Sequence, residues 1–267
     1  MSITTLDQAV AGMQPPVLFT KAVTGTMVAG RCHSTFYQAG FPGAAVAPTP
    51  GIGGVALTVY PGRLPFNNPV SGETRLARLQ GQCTIAGTLM LCDRLWHNSG
   101  LGLTITTAQT INSATWPARD RNGLTNGDDV FIGFEVSSVL GAGTPTLTMS
   151  YTNSAGVASK TGTNIIATAT APIAGTVYEI GLAAGDIGVR SVQSFTLSAT
   201  YTSGAAHLFA YRVLAALELS AANVPNAIDF LTGGAVKMYD NTVPFLMFRP
   251  SATTSSNISG QIIYTQG

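Results

Sequence analysis

The chain has 267 residues, 45% hydrophobic and only 9% charged, against roughly 25% charged in an average soluble domain. Intrinsic disorder requires low hydrophobicity and high net charge, and neither holds; 13 Lys and Arg against 12 Asp and Glu leave a net +1 with no basic excess for nucleic acid. The length allows one large β domain or two smaller ones, at roughly 100–200 residues each.

The mean hydropathy of +0.29 raises the question of a membrane span, which needs roughly 20 consecutive apolar residues. The richest stretch, 205–224, is interrupted by Arg212, Glu218, Ser220 and Asn223, and the uncharged text of 32–62 is broken by Pro and Gly. No membrane partner is therefore expected. Asp7 stands where a signal peptide would carry its positive charges, so no leader is expected either. Few charges and much apolar surface without a span suggest that other protein covers this one.

The chain opens on a short helix, with Thr5 and Gln8 at capping-box spacing and Leu6, Val10 and Met13 at helical intervals before Pro15-Pro16 ends it. From Gly40 to Gly72 Gly and Pro dominate, which excludes a helix and makes poor strand. Phe41, Val55, Leu57, Val59, Tyr60 and Phe66 lie in this stretch, so it is expected to dock on a surface. Residues 1–72 are accordingly read as an extended N-terminal arm, ordered against other subunits and mobile in the free monomer, and 73–267 as a β domain.

Beyond Gly72 the period becomes two. Leu76 to Trp96 reads as one or two strands with Ile85, Leu89, Leu91 and Leu95 in phase, and Leu103 to Ile111 as Thr-rich strand. A polar loop, 117–129, carries the turn signal Asn126-Gly127. Val130, Ile132, Phe134 and Val136 share one face, and Leu147, Met149 and Tyr151 another. Further strands are expected at 165–170, 177–182, 195–201, 243–248 and 258–264. His207 to Leu219 fits both periods, since Phe209, Val213 and Leu217 also stand at helical spacing; strand agrees with its neighbours. Regularly spaced short strands predict an all-β, jelly-roll-like double-sheet sandwich.

Chemistry is sparse. There is no nucleophile elbow, zinc-protease helix motif, Walker A loop or EF-hand loop. Lys160-Thr161-Gly162 matches one penicillin-binding motif, but no Lys has Ser three positions before it, and Gly51-Ile52-Gly53-Gly54 lacks the strand-to-helix context of a phosphate loop. Cys32, Cys83 and Cys92 are an odd count and read as buried small hydrophobes. A metal site from Cys83, Cys92 and His97 is disfavoured, because the two cysteines differ in strand parity. Asp93 and His97 share parity but stand too far apart on a strand to touch. His33, His97 and His207 read as structural. Asp120, Asn126, Asp128 and Asp129 could ligate calcium, with a solvated hairpin turn the plainer account. Arg75 and Arg78 could pair with Glu73 or with a partner's carboxylates. Trp96 and Trp116 could stack on sugars, core packing being their commoner use. No catalytic residue, metal or cofactor is expected.

Two segments carry a resemblance. Gly143-Thr144-Pro145-Thr146-Leu147-Thr148-Met149-Ser150-Tyr151-Thr152-Asn153-Ser154-Ala155-Gly156 resembles a recurrent segment of tailed-bacteriophage structural proteins, and Ala184-Gly185-Asp186-Ile187-Gly188-Val189-Arg190-Ser191-Val192-Gln193-Ser194 is similar to a second. The likeness runs over about residues 76–267 in style and order. It implies a virion component assembled in the host cytoplasm, a capsid decoration (cement) or minor head protein. Its partners would be the major capsid protein and other copies of itself, as a homotrimer about a local symmetry axis. It brings no active-site residues. A glycan- or receptor-binding β-sandwich of a tail or cell surface, using Trp96, Trp116 or exposed tyrosines, is the alternative, and a hydrolase without a known motif a third.

Overall fold

In the computed structural model, which describes residues 2–267, backbone pairing follows the period-two text. Helix α1 (Leu6–Ala11) is closed by the expected capping box: Thr5 Oγ1 accepts the Gln8 N–H, and the Gln8 side chain accepts the Thr5 N–H. Then come β1 (Val17–Val23), the short β2 (Cys32–Ser34), β3 (Ala39–Phe41) and β4 (Val55–Ala56), and two long strands, β5 (Thr74–Cys83) and β6 (Gly87–His97), which follow each other across a short turn but belong to different sheets. The middle of the chain supplies β7 (Gln109–Thr110), β8 (Phe131–Ser138), β9 (Leu147–Asn153), β10 (Lys160–Asn164), β11 (Thr176–Gly181), β12 (Val189–Leu197) and β13 (Ala205–Leu219). The last part holds β14 (Asn226–Asp229), helix α2 (Phe230–Gly233), β15 (Lys237–Met238), β16 (Pro244–Pro250) and β17 (Ser256–Gln266).

These strands form two sheets, as a double-sheet β-sandwich requires. The smaller runs β14-β5-β17-β1-β3, with β15 also on β5. The larger does something the sequence does not announce. β2 pairs with β16 at one side and with β11 at the other, so β2, β16, β6, β13, β8 and β11 close into a six-stranded antiparallel barrel. β10, β9, β12 and β7 continue outward from β11. Closure removes free edges, and the strands that remain at the margins, β3, β4, β7, β14 and β15, have four residues or fewer.

Three cores result. One lies between the small sheet and the backs of β6, β13 and β16, around Phe19, Leu79, Leu89, Leu217, Phe248 and Ile262. A second lies between β8, β11, β13 and the outer strands β9 and β12, around Ile132, Phe134, Leu147, Met149, Phe195 and Leu208. The third is the barrel interior, with Cys32, Phe36, Cys92, Phe209, Tyr211, Phe245 and Met247. β13 serves all three, which settles its ambiguity. It is a 15-residue strand whose odd positions Phe209 and Tyr211 fill the barrel, and a register shift between Val213 and Ala215 turns Leu214 and Leu217 toward the small sheet.

The N-terminal segment is extended where the Gly/Pro text requires it, and it docks on the chain's own sheets. β1 and β3 join the small sheet, β2 closes the barrel and β4 pairs with β6. Four strand expectations need correction. Cys83 and Cys92 lie on two strands separated by a turn at 84–86, which also takes Ile85 out of phase with Leu89. In 103–111 only β7 pairs, because the Gln109 side chain clamps the backbone of Gly102 at 2.7 and 2.9 Å and holds the segment as a loop. β10 precedes 165–170, which is irregular, and β12 ends at Leu197, before Ala199 and Tyr201. The sequence reading places no elements at 226–238, where β14, α2 and β15 form.

Candidate functional site

The densest cluster of ionisable groups lies inside the barrel. A register shift on β6 at Leu95 puts Leu95 and Trp96 together in the outer core and leaves Arg94 and His97 on the barrel side. Arg94 Nη2 meets Glu135 Oε2 of β8 at 2.6 Å, and both side chains are fully buried. His207 of β13 brings Nε2 to 2.9 Å from Glu135 Oε2, 2.8 Å from Arg94 Nη2 and 3.1 Å from the Tyr37 hydroxyl. The Arg94 guanidinium lies 4.5 Å from the Phe209 ring centre, 4.7 Å from Phe36 and 5.7 Å from Phe245, an aromatic cage that compensates part of its lost hydration. Gly133 permits this, since a Cβ there would overlap the Phe209 ring.

Burial opposes ionisation of Glu135, but the Arg94 charge and the His207 bond outweigh it and hold the carboxyl down at about 2. Burial also lowers His207, against the pull of Glu135, and lowers His97 to about 2, helped by Arg94 and His207. The cluster therefore holds one positive and one negative charge beside two neutral imidazoles, out of water. Sequence reasoning missed Arg94, Glu135, Tyr37 and Tyr60. The available signal was an isolated charge at an inward position of an apolar strand, Glu135 in phase with Gly133 and Phe131.

The residues singled out from sequence are mostly dispersed. Cys83 belongs to the core under the small sheet, with its sulfur 2.6 Å from Ser256 Oγ, while Cys92 faces the barrel interior and His97 stacks edge-on against Tyr60. Cys32 is also inside the barrel, where burial and then Glu179 push its thiol up to about 12. Among the described residues, no three His, Cys, Asp or Glu side chains converge as a metal site. His33 accepts the Val28 N–H through Nε2 at 3.1 Å, and burial with Arg31 nearby lowers it to about 4. Asp93 turns away from His97 into a two-point bond with Arg119, at 2.9 and 3.1 Å.

The polar loop is organised by Asp120, which is fully buried: Oδ1 accepts the N–H groups of Asn122 and Leu124, and Oδ2 that of Gly127. Asp128 takes the Asn122 amide and Asp129 pairs with Arg121, so the candidate calcium ligands are engaged with the loop itself. Trp96 and Trp116 are buried against each other at 5.2 Å, with their N–H groups donated to Gly53 O and Val189 O. They are core residues and present no face to a sugar. The Gly51–Gly54 loop lies over Trp96, and a Cβ on Gly54 would overlap its indole. Glu73 is paired with Arg75 at 2.8 Å and Lys237 at 3.2 Å, while Arg78 lies opposite Asp229 across β5 and β14. Lys160 opens β10, 3.7 Å from Asp186.

The two resembling segments are spatial neighbours. One contains β9, the other leads into β12, and these strands pair. Asp186 locks them, accepting from the Tyr151 hydroxyl at 2.6 Å and from the Asn153 amide at 2.7 Å, while that hydroxyl accepts the Ala183 N–H. Their residue types therefore serve a turn-and-strand unit.

The surface is as poor in charge as the composition. Nine of the Lys, Arg, Asp and Glu side chains are buried: Lys21, Arg31, Glu73, Asp93, Arg94, Arg119, Asp120, Glu135 and Arg212. Sixteen remain for 10524 Å² of accessible surface. Leu6, Val10, Met13, Leu18, Phe41, Val70 and Leu231 are exposed on it. The stripe of α1 that spacing marks as apolar thus faces solvent, and only Ala9 of that helix is buried. An open cleft of about 420 Å³ lies between Glu73, Pro117, Lys237, Tyr239 and Asp240, and its Glu73 carboxylate is tied to Arg75 and Lys237. No helix among the described residues is long and apolar enough to cross a membrane.

No family model matches the chain, and no curated protein matches it. Among solved structures, it is similar to the VP2 subviral particle of infectious bursal disease virus, at 11% identity over 96% of this chain and 81% of that one, with a TM-score of 0.19. A structure of the Gt strain of that virus matches at 11% identity over 95% of this chain and 82% of the other, with a TM-score of 0.15. TM-scores this low carry nothing from those proteins to this one.

Proposed function

We propose that this chain is a non-enzymatic virion structural protein of a tailed bacteriophage, a decoration or cement protein that stabilises the head through subunit contacts. The observation that carries this reading is the surface. The chain buries three cores, yet leaves a sparsely charged surface with apolar side chains such as Leu6, Val10, Leu18 and Leu231 in water, which suits contact with other protein. The two segments around β9 and β12 that resemble phage structural proteins add the place. Buried free thiols and a Glu73 carboxylate engaged by Arg75 and Lys237 accord with a role that needs no turnover.

The mechanism is mass action. Each copy, bound across several shell subunits, adds its binding free energy to the assembled state only, and the shell resists heat and internal pressure in proportion to occupancy. Deletion of the protein from particles tests this. Particles lacking it should release their contents at lower temperature while adsorbing to the host at the normal rate. Intact thermal resistance with lost adsorption would replace this reading with that of a receptor-binding module.

A further inference from the structure

One end of the barrel is closed by chain from the N-terminal segment. Phe36 packs on Arg94, the Tyr37 hydroxyl bonds His207, and the Tyr60 ring stands edge-on to His97 at 4.6 Å. Phe36 and Tyr60 stack on each other at 5.5 Å, so the two ends of the 36–60 segment form one lid. Its regular pairing is confined to β3 and β4, five residues in all, and Gly and Pro fill much of the rest. The six barrel strands beneath it are laddered on both sides.

We propose that the 36–60 segment is an acid-released plug, in which protonation of His207 and His97 puts uncompensated positive charge beside Arg94 and drives Tyr37 and Tyr60 off the barrel end. The charge balance requires a response of this kind. Among the described residues Glu135 is the one carboxylate facing the cluster, and it is already matched by Arg94. The other groups facing His207 are Tyr37 from the plug and, on β6, Arg94 and His97, whose ring lies 6.2 Å away. β2, β11 and β16 present Cys32, Val177, Phe245 and Met247 to this interior. Glu179 is paired with Arg249 at 2.6 Å. A second positive charge 2.8 Å from Arg94 Nη2 therefore meets no further anion.

Water can reach the imidazoles by displacing the plug, which leaves the barrel ladders intact. The other anchors of the plug, such as Lys21 Nζ donating to the carbonyls of Gln38 and Pro42 at 3.2 and 2.6 Å, do not titrate in the acid range and hold it as a hinge. Because an exposed imidazole takes a proton near its ordinary value, roughly 6.5, opening gains free energy as pH falls below that value.

Amide hydrogen exchange on the full chain at about pH 7 and about pH 5, corrected for intrinsic rates, tests the plug across the range where histidine charges. Exchange within 36–60 should accelerate at least about tenfold in acid while β9 and β12 stay protected, and His33→Gln should leave this response intact. The His97→Asn/His207→Gln variant should abolish it. Unchanged exchange at 36–60, simultaneous exposure of β9 and β12, or a response that survives in the double variant would overturn the proposal. If that variant does not fold, imidazole NMR of the intact chain decides: rings of His97 and His207 that stay neutral while the plug opens would also overturn it.

Discussion

β8 places two neighbouring residues in opposite worlds. Phe134 stacks on Phe195 at 5.7 Å in the core shared with β9 and β12, whose buried members are apolar or aromatic. Glu135, one residue on, enters the barrel and meets Arg94 and His207. The first core is held by removal of apolar surface from water, about 25 cal/mol per Å². The barrel interior is held by mutual neutralisation, in which each partner makes the other's burial tolerable. A strand's period of two thus separates a forgiving core from one in which every group depends on another.

The sharpest way to break this comparison is to remove one member of the ion pair. Glu135→Gln should cost about 3–5 kcal/mol in urea unfolding, because Arg94 is left as a buried charge. Replacing both partners, as Arg94→Leu with Glu135→Leu, should recover much of that loss, and a double variant as unstable as the single one would contradict the pairing account. Phe134→Ala should cost a similar amount, about 3–5 kcal/mol, but for a different reason, a cavity. pH separates the two. Glu135 is held at about 2, below its ordinary 4.5, so its contribution is complete above 4.5 and lost as pH falls through 2. The Phe134→Ala deficit should stay constant over that range, and the Glu135→Gln deficit should shrink.

The histidines act earlier on the same axis. His33, His97 and His207 are all lowered from 6.5 by burial, so their stabilisation is present above 6.5 and declines as pH falls below it. Urea midpoints measured from neutral to acid pH should fall from that point, and a flat profile would contradict their burial as neutral rings. A smaller effect, about 1–3 kcal/mol, is expected for Gly133→Ala, whose methyl displaces the Phe209 ring from Arg94. Ile132→Val on the dry face should cost least, about 0.5–1.5 kcal/mol.

The difference between the two regions also decides what was legible in the sequence. Ile132, Phe134, Val136, Leu147, Met149 and Tyr151 show their shared core directly, because each strand's alternation is local text. The α1 cap was legible for the same reason, through Thr5 and Gln8. Barrel closure was hidden, because β2 is three residues long and joins β11 and β16, which lie more than 140 and 200 residues further along the chain. The shift at Leu95, which puts Arg94 and His97 on one side, has no mark in the residues around it. Without closure and shift, Arg94, Glu135 and His207 read as unrelated polar residues on three strands. Which nine charged side chains are buried was hidden too, since composition counts charges without saying where they face.

Under the proposed shell role, the sparsely charged, partly apolar surface is what meets its neighbours. Electron microscopy of the intact particle tests this most directly. Density for this chain should lie on the head shell, spanning more than one shell subunit, with residues such as Leu6, Val10, Leu18 and Leu231 covered. Density at the tail tip, or on the head with those side chains left in solvent, would contradict it.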